Sequence, residues 1–358
     1  MDTPTCSKVH DYMYGETLGE STFGQVIRGL VRKTGEHVAI KIMNKNDLKK
    51  RGLTEMFRNE VAILEQLNDK SVLRLIDHFE DTKNLYIVTQ LAHGGELFDE
   101  IISRSRFTEP DSREAIRQIL HSVEYLHDLG IAHRDIKPEN ILYVSAEENS
   151  ELILADFGIA KFKREGFSDT VGSLGYAAPE VVMCALDPAS KNYTEKCDIF
   201  SVGVVSYMLL SGFSPFEAST LDDFVNKEIP RGIKFPAKYW GEVSESAREF
   251  VLSMLNTDPD KRPSATELLC HPWMSADLDD MVNLLQNIRE GFNARRKLLQ
   301  TVEVVKLHNQ MKKYHDLKDK DAEKVKSDTK GDLFVQLVKA AVENRETLDA
   351  LNTITPAN

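Results

Sequence analysis

Between Tyr12 and Leu91 the chain alternates or clusters branched and aromatic residues in short runs broken by Gly, Asn and Asp. The runs YMYGETLG, GQVIRGLV, EHVAIKIM and NLYIVTQL read as strands, because such alternation covers one face of a sheet. One stretch breaks the pattern. In LTEMFRNEVAILEQL the apolar residues Met56, Phe57, Val61, Leu64 and Leu67 recur at helical spacing, which predicts a single amphipathic helix among the strands. From Leu97 onward the period turns helical: DSREAIRQILHSVEYLHDLG puts Ile116, Ile119, Leu120, Val123 and Leu126 on one face and ends on the stop signal Gly130. The most apolar run, IFSVGVVSYMLLSGF from Ile199 to Phe213, is too short for a membrane span and is read as a core helix. Periodicity therefore predicts an α+β chain: a small β-rich lobe over 12–90 with one helix, then a larger helical lobe over 91–274 that closes near HPWM.

Residues 1–11 are left as a tail. Residues 276–315 read as one or two amphipathic helices and 316–330, DLKDKDAEKVKSDTK, as a charged linker poor in apolar residues. Residues 331–358 hold a last helix with Phe334, Leu337, Val338, Ala341 and Val342 on one side, serving either oligomerisation or docking.

Composition narrows the classes. A chain of 358 residues, 41% hydrophobic, can bury one large bilobal domain and still carry an appendage. Its formal charge of -12 argues against a nucleic-acid binder, which needs a basic surface. Cys6, Cys184, Cys197 and Cys270 stand far apart, with no CxxC pair, and read as buried small hydrophobes in a reducing compartment. The first residues have no apolar signal core, and Asp2 stands where myristoylation needs glycine, so the expected location is the cytosol or nucleus.

The chemistry-bearing residues come in a definite order. LGESTFGQV, Leu18 to Val26, lies between two strand patterns as a candidate phosphate-covering loop, with Gly19 and Gly24 at two glycine positions and Ser21 at the middle one. Backbone must approach phosphate without side-chain obstruction, and serine intrudes little; a plain hairpin turn is the other reading of this stretch. In VAIK, Lys41 ends a strand where its charge can meet nucleotide phosphates, and Glu60 on the predicted helix can hold it as an ion pair. HRDIKPEN, His133 to Asn140, and DFG, Asp156 to Gly158, carry the strongest signal. Moving a phosphoryl group to a hydroxyl needs a carboxylate to orient that hydroxyl and take its proton, and Asp135 is the candidate. Asn140 and Asp156 offer hard oxygen ligands for Mg2+, and Lys137 can stabilise charge on the transferred group.

On these motifs, Gly19 to Trp273 resembles a eukaryotic protein kinase domain, with AAPE (Ala177 to Glu180), Asp198 in DIFSVG and Arg262 in DPDKRPSA as further markers. The resemblance implies a bilobal kinase fold, ATP as donor, Mg2+ as cofactor, protein substrates, and an Arg262–Glu180 pair. It also implies that Leu18, Gly19, Ser21, Gly24, Val26, Ala39, Lys41, Glu60, Glu96, Glu139 and Leu142 belong to the ATP site. Thr89 would guard the back of the adenine pocket, with Gln90 and Ala92 as backbone partners of adenine. Lys137 in KPEN marks the serine/threonine form. GGELFDEI and HPWM are similar to the calcium/calmodulin-dependent group, in which the residue matching Glu96 helps recognise an arginine three residues before the acceptor; a charged helix start is the alternative for Glu96. Where the family often has G-T-P-G-Y this chain has GSLGY, so Ser173 keeps a hydroxyl that can bridge Asp135 and Lys137, and Leu174 removes a rigid turn residue. Arg134 supplies a cation for a phosphate that an upstream kinase would add to Ser168 or Thr170.

The stretch GFNARRKLLQTVEVVKLHNQMKKYH is basic in an acidic chain: from Arg289 to His315 seven Lys and Arg face two Glu. At about 100° per residue, Leu298, Val302 and Leu307 fall near 0°, about 40° and about 180°, which suits a partner that wraps a helix with two apolar lobes and an acidic rim. FNARRKL resembles the start of the calmodulin-binding segment of multifunctional calcium/calmodulin-dependent kinases. The resemblance implies that residues from about Asp277 to Val305 fold back on the helical lobe, and that Ca2+-loaded calmodulin takes the three anchors and pulls the segment away. A helix that completes the core, a membrane-surface helix and a nuclear-localisation patch are the other readings. Leu285 stands where oligomeric members carry an autophosphorylated threonine, and Val304 and Val305 replace hydroxyl residues, so neither phosphorylation is implied. Lys324 and Lys330 occupy the glycine and glutamate positions of the nearest EF-hand-like run, so calcium sensing would come in trans. A pseudokinase scaffold is the rival class, opposed by intact Lys41, Asp135, Asn140 and Asp156; a kinase controlled only by loop phosphorylation is the rival regulation.

Overall fold

In the computed structural model, five antiparallel strands form a sheet in the order β1-β2-β3-β5-β4: β1 (Tyr12–Ser21), β2 (Gly24–Val31), β3 (His37–Asn44), β4 (Leu75–Glu80) and β5 (Asn84–Gln90). The structure describes residues 8–21, 24–147, 150–168, 171–173, 175–186, 193–218, 220–278 and 282–293. Tyr12, Ile27, Val38, Ile40, Phe79, Tyr86 and Val88 form one buried cluster across the sheet. Within it Tyr12, Phe79 and Tyr86 stack at centroid distances of 5.5 and 4.6 Å, geometry that adds to area burial.

Two helices follow β3: α1 (Lys45–Arg51) and α2 (Thr54–Leu64). The sequence pattern predicts only α2. Helix α1 buries just Leu48, so it leaves no apolar stripe; it is set instead by its ends, where the Asn44 side chain accepts the Asn46 and Asp47 N–H groups and Gly52 closes in the left-handed region. Strand β4 was likewise absent from the predicted strands. Only Phe79 of LIDHFE is buried in this edge strand, so its alternation is weak.

The larger lobe begins with α3 (Leu97–Ser103) and α4 (Glu109–Asp128), whose start is a capping box between Thr108 and Asp111. Two short pairs, β6 (Ile131–Ala132) with β9 (Lys161–Phe162) and β7 (Ile141–Tyr143) with β8 (Leu152–Leu154), frame the loops between them. Next come α5 (Pro179–Leu186) and α6 (Lys196–Ser211). Every residue of α6 from Cys197 to Ser211 is buried, so the run that looked like a core helix is one, and no helix among the described residues is long and apolar enough to cross a membrane. After it stand α7 (Leu221–Asp223), a π-helical turn (Phe224–Glu228), α8 (Ile229–Arg231), α9 (Ala237–Trp240), α10 (Glu245–Met254), α11 (Ala265–Leu269) and α12 (Pro272–Ser275). Arg262, 1% exposed, reaches Glu180 at the start of α5 through two hydrogen bonds of 2.6 and 2.7 Å and lies over the Phe200 ring of α6. This pairing satisfies a buried charge bidentately and ties three elements together.

One expectation changes. Of the cysteines, Cys197 is buried, and burial pushes its thiol pKa up, but Cys184 is half-buried and Cys270, just past α11, is exposed. Past HPWM, the first of two compact units continues as far as Arg289. Leu284, Leu285 and Ile288 are at most 3% exposed, and a helix starts at residue 285. The Leu284 N–H donates to the Phe107 carbonyl (2.8 Å), and Arg289 donates to the Ile102 and Arg104 carbonyls at the end of α3 (2.8 and 2.7 Å). Gly212, the C-cap of α6 at φ +83°, has no room for a side chain, since a Cβ there would lie 2.1 Å from the Asn287 carbonyl oxygen. The readings of Leu298, Val302, Leu307, Val304, Val305, the 316–330 linker and the last helix, like those of Thr170, Leu174, Cys6 and the side chain of Ser21, lie outside the described residues.

Packing of this kind predicts that Ile288→Ala costs about 2–4 kcal/mol, as a large-to-small core substitution does. A shift in urea midpoint on the full-length chain measures it, and a loss under about 0.5 kcal/mol would mean that residues 282–289 behave as surface.

Candidate active site

The loop between β6 and β7 hangs from one carboxylate. Asp198, fully buried in the first turn of α6, accepts the backbone N–H of His133 (2.9 Å) and of Arg134 (2.8 Å), and pairs with His127 Nε2 (3.0 Å). Burial pushes its carboxyl pKa up, but the hydrogen bond and charge of His127 and the backbone donors outweigh it and hold it below the usual carboxylate range. Arg134 sits at φ +67°, a left-handed conformation unfavourable to arginine, and its two flanking N–H bonds to Asp198 offset that cost. Its guanidinium donates to the Ile159 carbonyl (2.8 Å) and the Tyr193 hydroxyl (2.9 Å) and lies over the Phe167 ring.

That loop brings Asp135, Lys137 and Asn140 together with Ser173. Lys137 Nζ donates to Asp135 Oδ2 (2.7 Å) and to Ser173 Oγ (3.0 Å), while Ser173 Oγ donates to Asp135 Oδ1 (2.9 Å). Asn140 Nδ2 donates to the Asp135 carbonyl (2.8 Å) and to Oδ2 (3.1 Å). Asp135 is thus fixed in orientation on both oxygens. The amide nitrogen of Asn140 is spent, which turns its amide oxygen to other use; a hard cation prefers such an oxygen.

Lys41 on β3 donates to Glu60 on α2 at 2.6 Å and lies 3.8 Å from Asp156 Oδ1. Burial would lower the lysine pKa, but the Glu60 and Asp156 carboxylates raise it above the usual range. For Asp156 burial raises the pKa, and the Lys41 cation with the Gly158 N–H brings it below the usual range. The signs oppose each other in stability. Ionised Asp156 stabilises the fold above the ordinary carboxylate range and stops doing so as pH falls through its lowered value, whereas Lys41 contributes below the ordinary lysine range and stops as pH rises through its raised one. Asp156 also takes φ +62°, beside Phe157, whose ring packs edge-on against His133. Among the described residues no group of three or more His, Cys, Asp or Glu is placed to hold a metal. Mg2+ needs fewer protein ligands when substrate phosphates complete its shell, so the lack of such a group does not count against the candidates Asn140 and Asp156.

The strands that carry the candidate nucleotide residues are in register. Val26 pairs with Lys41 and Ala39 with Thr89, which is 8% exposed, while Leu18 is 45% exposed. The Gln90 N–H is taken by the Arg74 carbonyl (3.0 Å), and Ala92 follows in the stretch between β5 and α3. Glu96 forms an isolated bridge with Leu142, and Glu139 is exposed. A Cβ on Gly24 would meet the Ile42 carbonyl oxygen at 2.0 Å, whereas Gly19 has open space around it. The glycines therefore differ: one serves strand contact and the other leaves room above the sheet.

A family model described as protein kinase domain matches residues 12–274. The chain belongs to the protein kinase family. It is similar to the calcium/calmodulin-dependent protein kinase cmkA of Emericella nidulans, 41% identical over 303 residues, 84% of this chain and 70% of that one. A calcium/calmodulin-dependent protein kinase of Metarhizium anisopliae is 39% identical over 327 residues (90% and 83%), and a type I enzyme so named from Schizosaccharomyces pombe is 37% identical over 308 (84% and 90%). The kinase acts on serine and threonine and uses ATP and Mg2+. The sequence reading gave no role to His127 or Tyr193. Their partners, Asp198 and Arg134, lie 71 and 59 residues away, and no spacing signal links them.

The charge balance at Asp156 gives a direct check on this kinase. With Lys41→Met, burial is no longer offset by the cation, so the Asp156 carboxyl pKa rises; carboxyl carbon NMR across a pH series reads the shift, and an unchanged value would break the link between the two groups.

Proposed function

We propose that Asp135 orients the acceptor hydroxyl and takes its proton, that Lys137 stabilises charge on the transferred phosphoryl group, and that Lys41, held by Glu60, binds the nucleotide phosphates. Asn140 and Asp156 would hold Mg2+, which neutralises phosphate charge when bound. Leu18, Gly19, Val26, Ala39, Thr89, Gln90, Ala92 and Leu142 surround the adenosine end. The observation that carries this reading is the bracing of Asp135 by Lys137, Ser173 and Asn140.

The substrate preference we propose is for an arginine three residues before the acceptor, recognised by Glu96, and the control is relief of autoinhibition by Ca2+/calmodulin. The charge of the 289–315 stretch, seven Lys and Arg against two Glu, and the printed names of the relatives support this control. Phosphorylation of Ser168, which is exposed, or Thr170 by an upstream kinase adds a second layer, in the cytosol or nucleus.

Asp135→Asn should lower kcat by about 100-fold or more, the share that a positioned base commonly supplies. Phosphorylation of an arginine-directed peptide by the full-length chain, with and without Ca2+/calmodulin, tests the rest. Low basal turnover that rises strongly is expected, and the preference for arginine should vanish in Glu96→Gln. High turnover indifferent to calmodulin would leave the kinase and sink the regulatory reading.

A further inference from the structure

Immediately before Glu60 on α2 stands Asn59, whose Nδ2 donates to the carbonyl of Ala160 at 2.6 Å, across 101 residues of chain. Ala160 is 0% exposed, so its carbonyl depends on this donor in place of water. The neighbouring carbonyl, of Ile159, is taken by Arg134 of the loop that holds Asp135. Two successive carbonyls after Asp156-Phe157-Gly158 are therefore gripped from opposite parts of the site. Beyond them Lys161 and Phe162 are fixed by pairing with β6, and before them the Gly158 N–H closes on Asp156 Oδ1.

The geometry assigns Asn59 as a positioning residue that couples the seating of helix α2, and so the Lys41–Glu60 ion pair, to the seating of the segment that carries Asp156. Consecutive residues on a helix point about 100° apart, so α2 reaches two targets at once: Glu60 toward β3 and Asn59 toward the segment after Gly158. A rotation or shift of α2 that frees one contact frees the other. Ion pair and metal ligand then form in one step, and the half-assembled site, with Lys41 seated but Asp156 loose, is disfavoured. The inference rests on the proposed reading of Lys41, Glu60 and Asp156 as the nucleotide and metal site.

The test is a cycle of Asn59→Ala, Glu60→Gln and the double variant in the full-length chain with Ca2+/calmodulin present, assayed for peptide phosphorylation over a Mg2+ series. Asn59→Ala should lose about tenfold in kcat/KM and need more Mg2+ for half-maximal rate, with its thermal midpoint within about 4 °C of the parent. In the Glu60→Gln background the same change should cost little further, since the two act as one unit. Parent-like kinetics in Asn59→Ala, or full additivity with Glu60→Gln, would overturn the coupling. If Glu60→Gln itself behaves as the parent, the site reading fails and takes the coupling with it. Should Asn59→Ala not fold, Asn59→Asp decides, because it keeps the size and removes the donor: a raised Mg2+ requirement that deepens little in the Glu60→Gln background supports the assignment, and parent-like kinetics refute it.

Discussion

Three hydrogen bonds converge on the Asp198 carboxylate at the buried start of α6, and the geometry of the active site depends on them. A helix buried along almost its whole length is the most rigid platform a lobe of this size offers, because every side chain is locked by neighbours. Asp198 converts that rigidity into position by gripping the backbone of His133 and Arg134. It also holds Arg134 in the left-handed region, which turns the chain so that Asp135, Lys137 and Asn140 follow as a cluster. An apolar residue in place of Asp198 would leave two buried N–H groups without acceptors and the strain at Arg134 without compensation.

The smaller lobe solves the same problem with less rigid means. Its sheet supplies Lys41 at a fixed register, Val26 opposite, but Glu60 comes from a separate helix, held by its buried Val61, Ile63 and Leu64, by the Lys41 ion pair and by the Asn59 bond to the Ala160 carbonyl. Such a pair is enclosed enough to be strong and still depends on where α2 sits. The proposed acceptor side is thus built on the core of the larger lobe, whereas the proposed nucleotide side joins a sheet to a separate helix.

Much of this was legible in the sequence, and what was missed has a physical pattern. Motifs read in order along the chain gave Lys41, Glu60, Asp135, Lys137, Asn140 and Asp156, and the structure brings these into two clusters, one within a single loop and one that joins β3, α2 and the segment of Asp156. Periodicity found α4 and α6 because burial there is extensive. It missed β4 and α1, each of which buries a single side chain. It also assigned no role to His127 or Tyr193, since their partners are brought near only by tertiary folding. The left-handed backbones of Arg134 and Asp156 leave no trace in composition either, because neither residue is glycine.

The end of the folded unit bears on the proposed regulation. Residues 282–289 are fastened to the larger lobe by buried Leu284, Leu285 and Ile288 and by Arg289, whose guanidinium serves as a cap on the last carbonyls of α3. Leu285 is therefore a core residue in the position where a phosphorylated threonine would need solvent. Arg289 is likewise engaged, so it is not among the cations offered to the proposed acidic partner. Pulling residues 282–289 away as well would break core contacts and expose Leu284, Leu285 and Ile288. The proposed release then has a defined starting point, and the helix α3 that follows Glu96 keeps its C-terminal cap throughout.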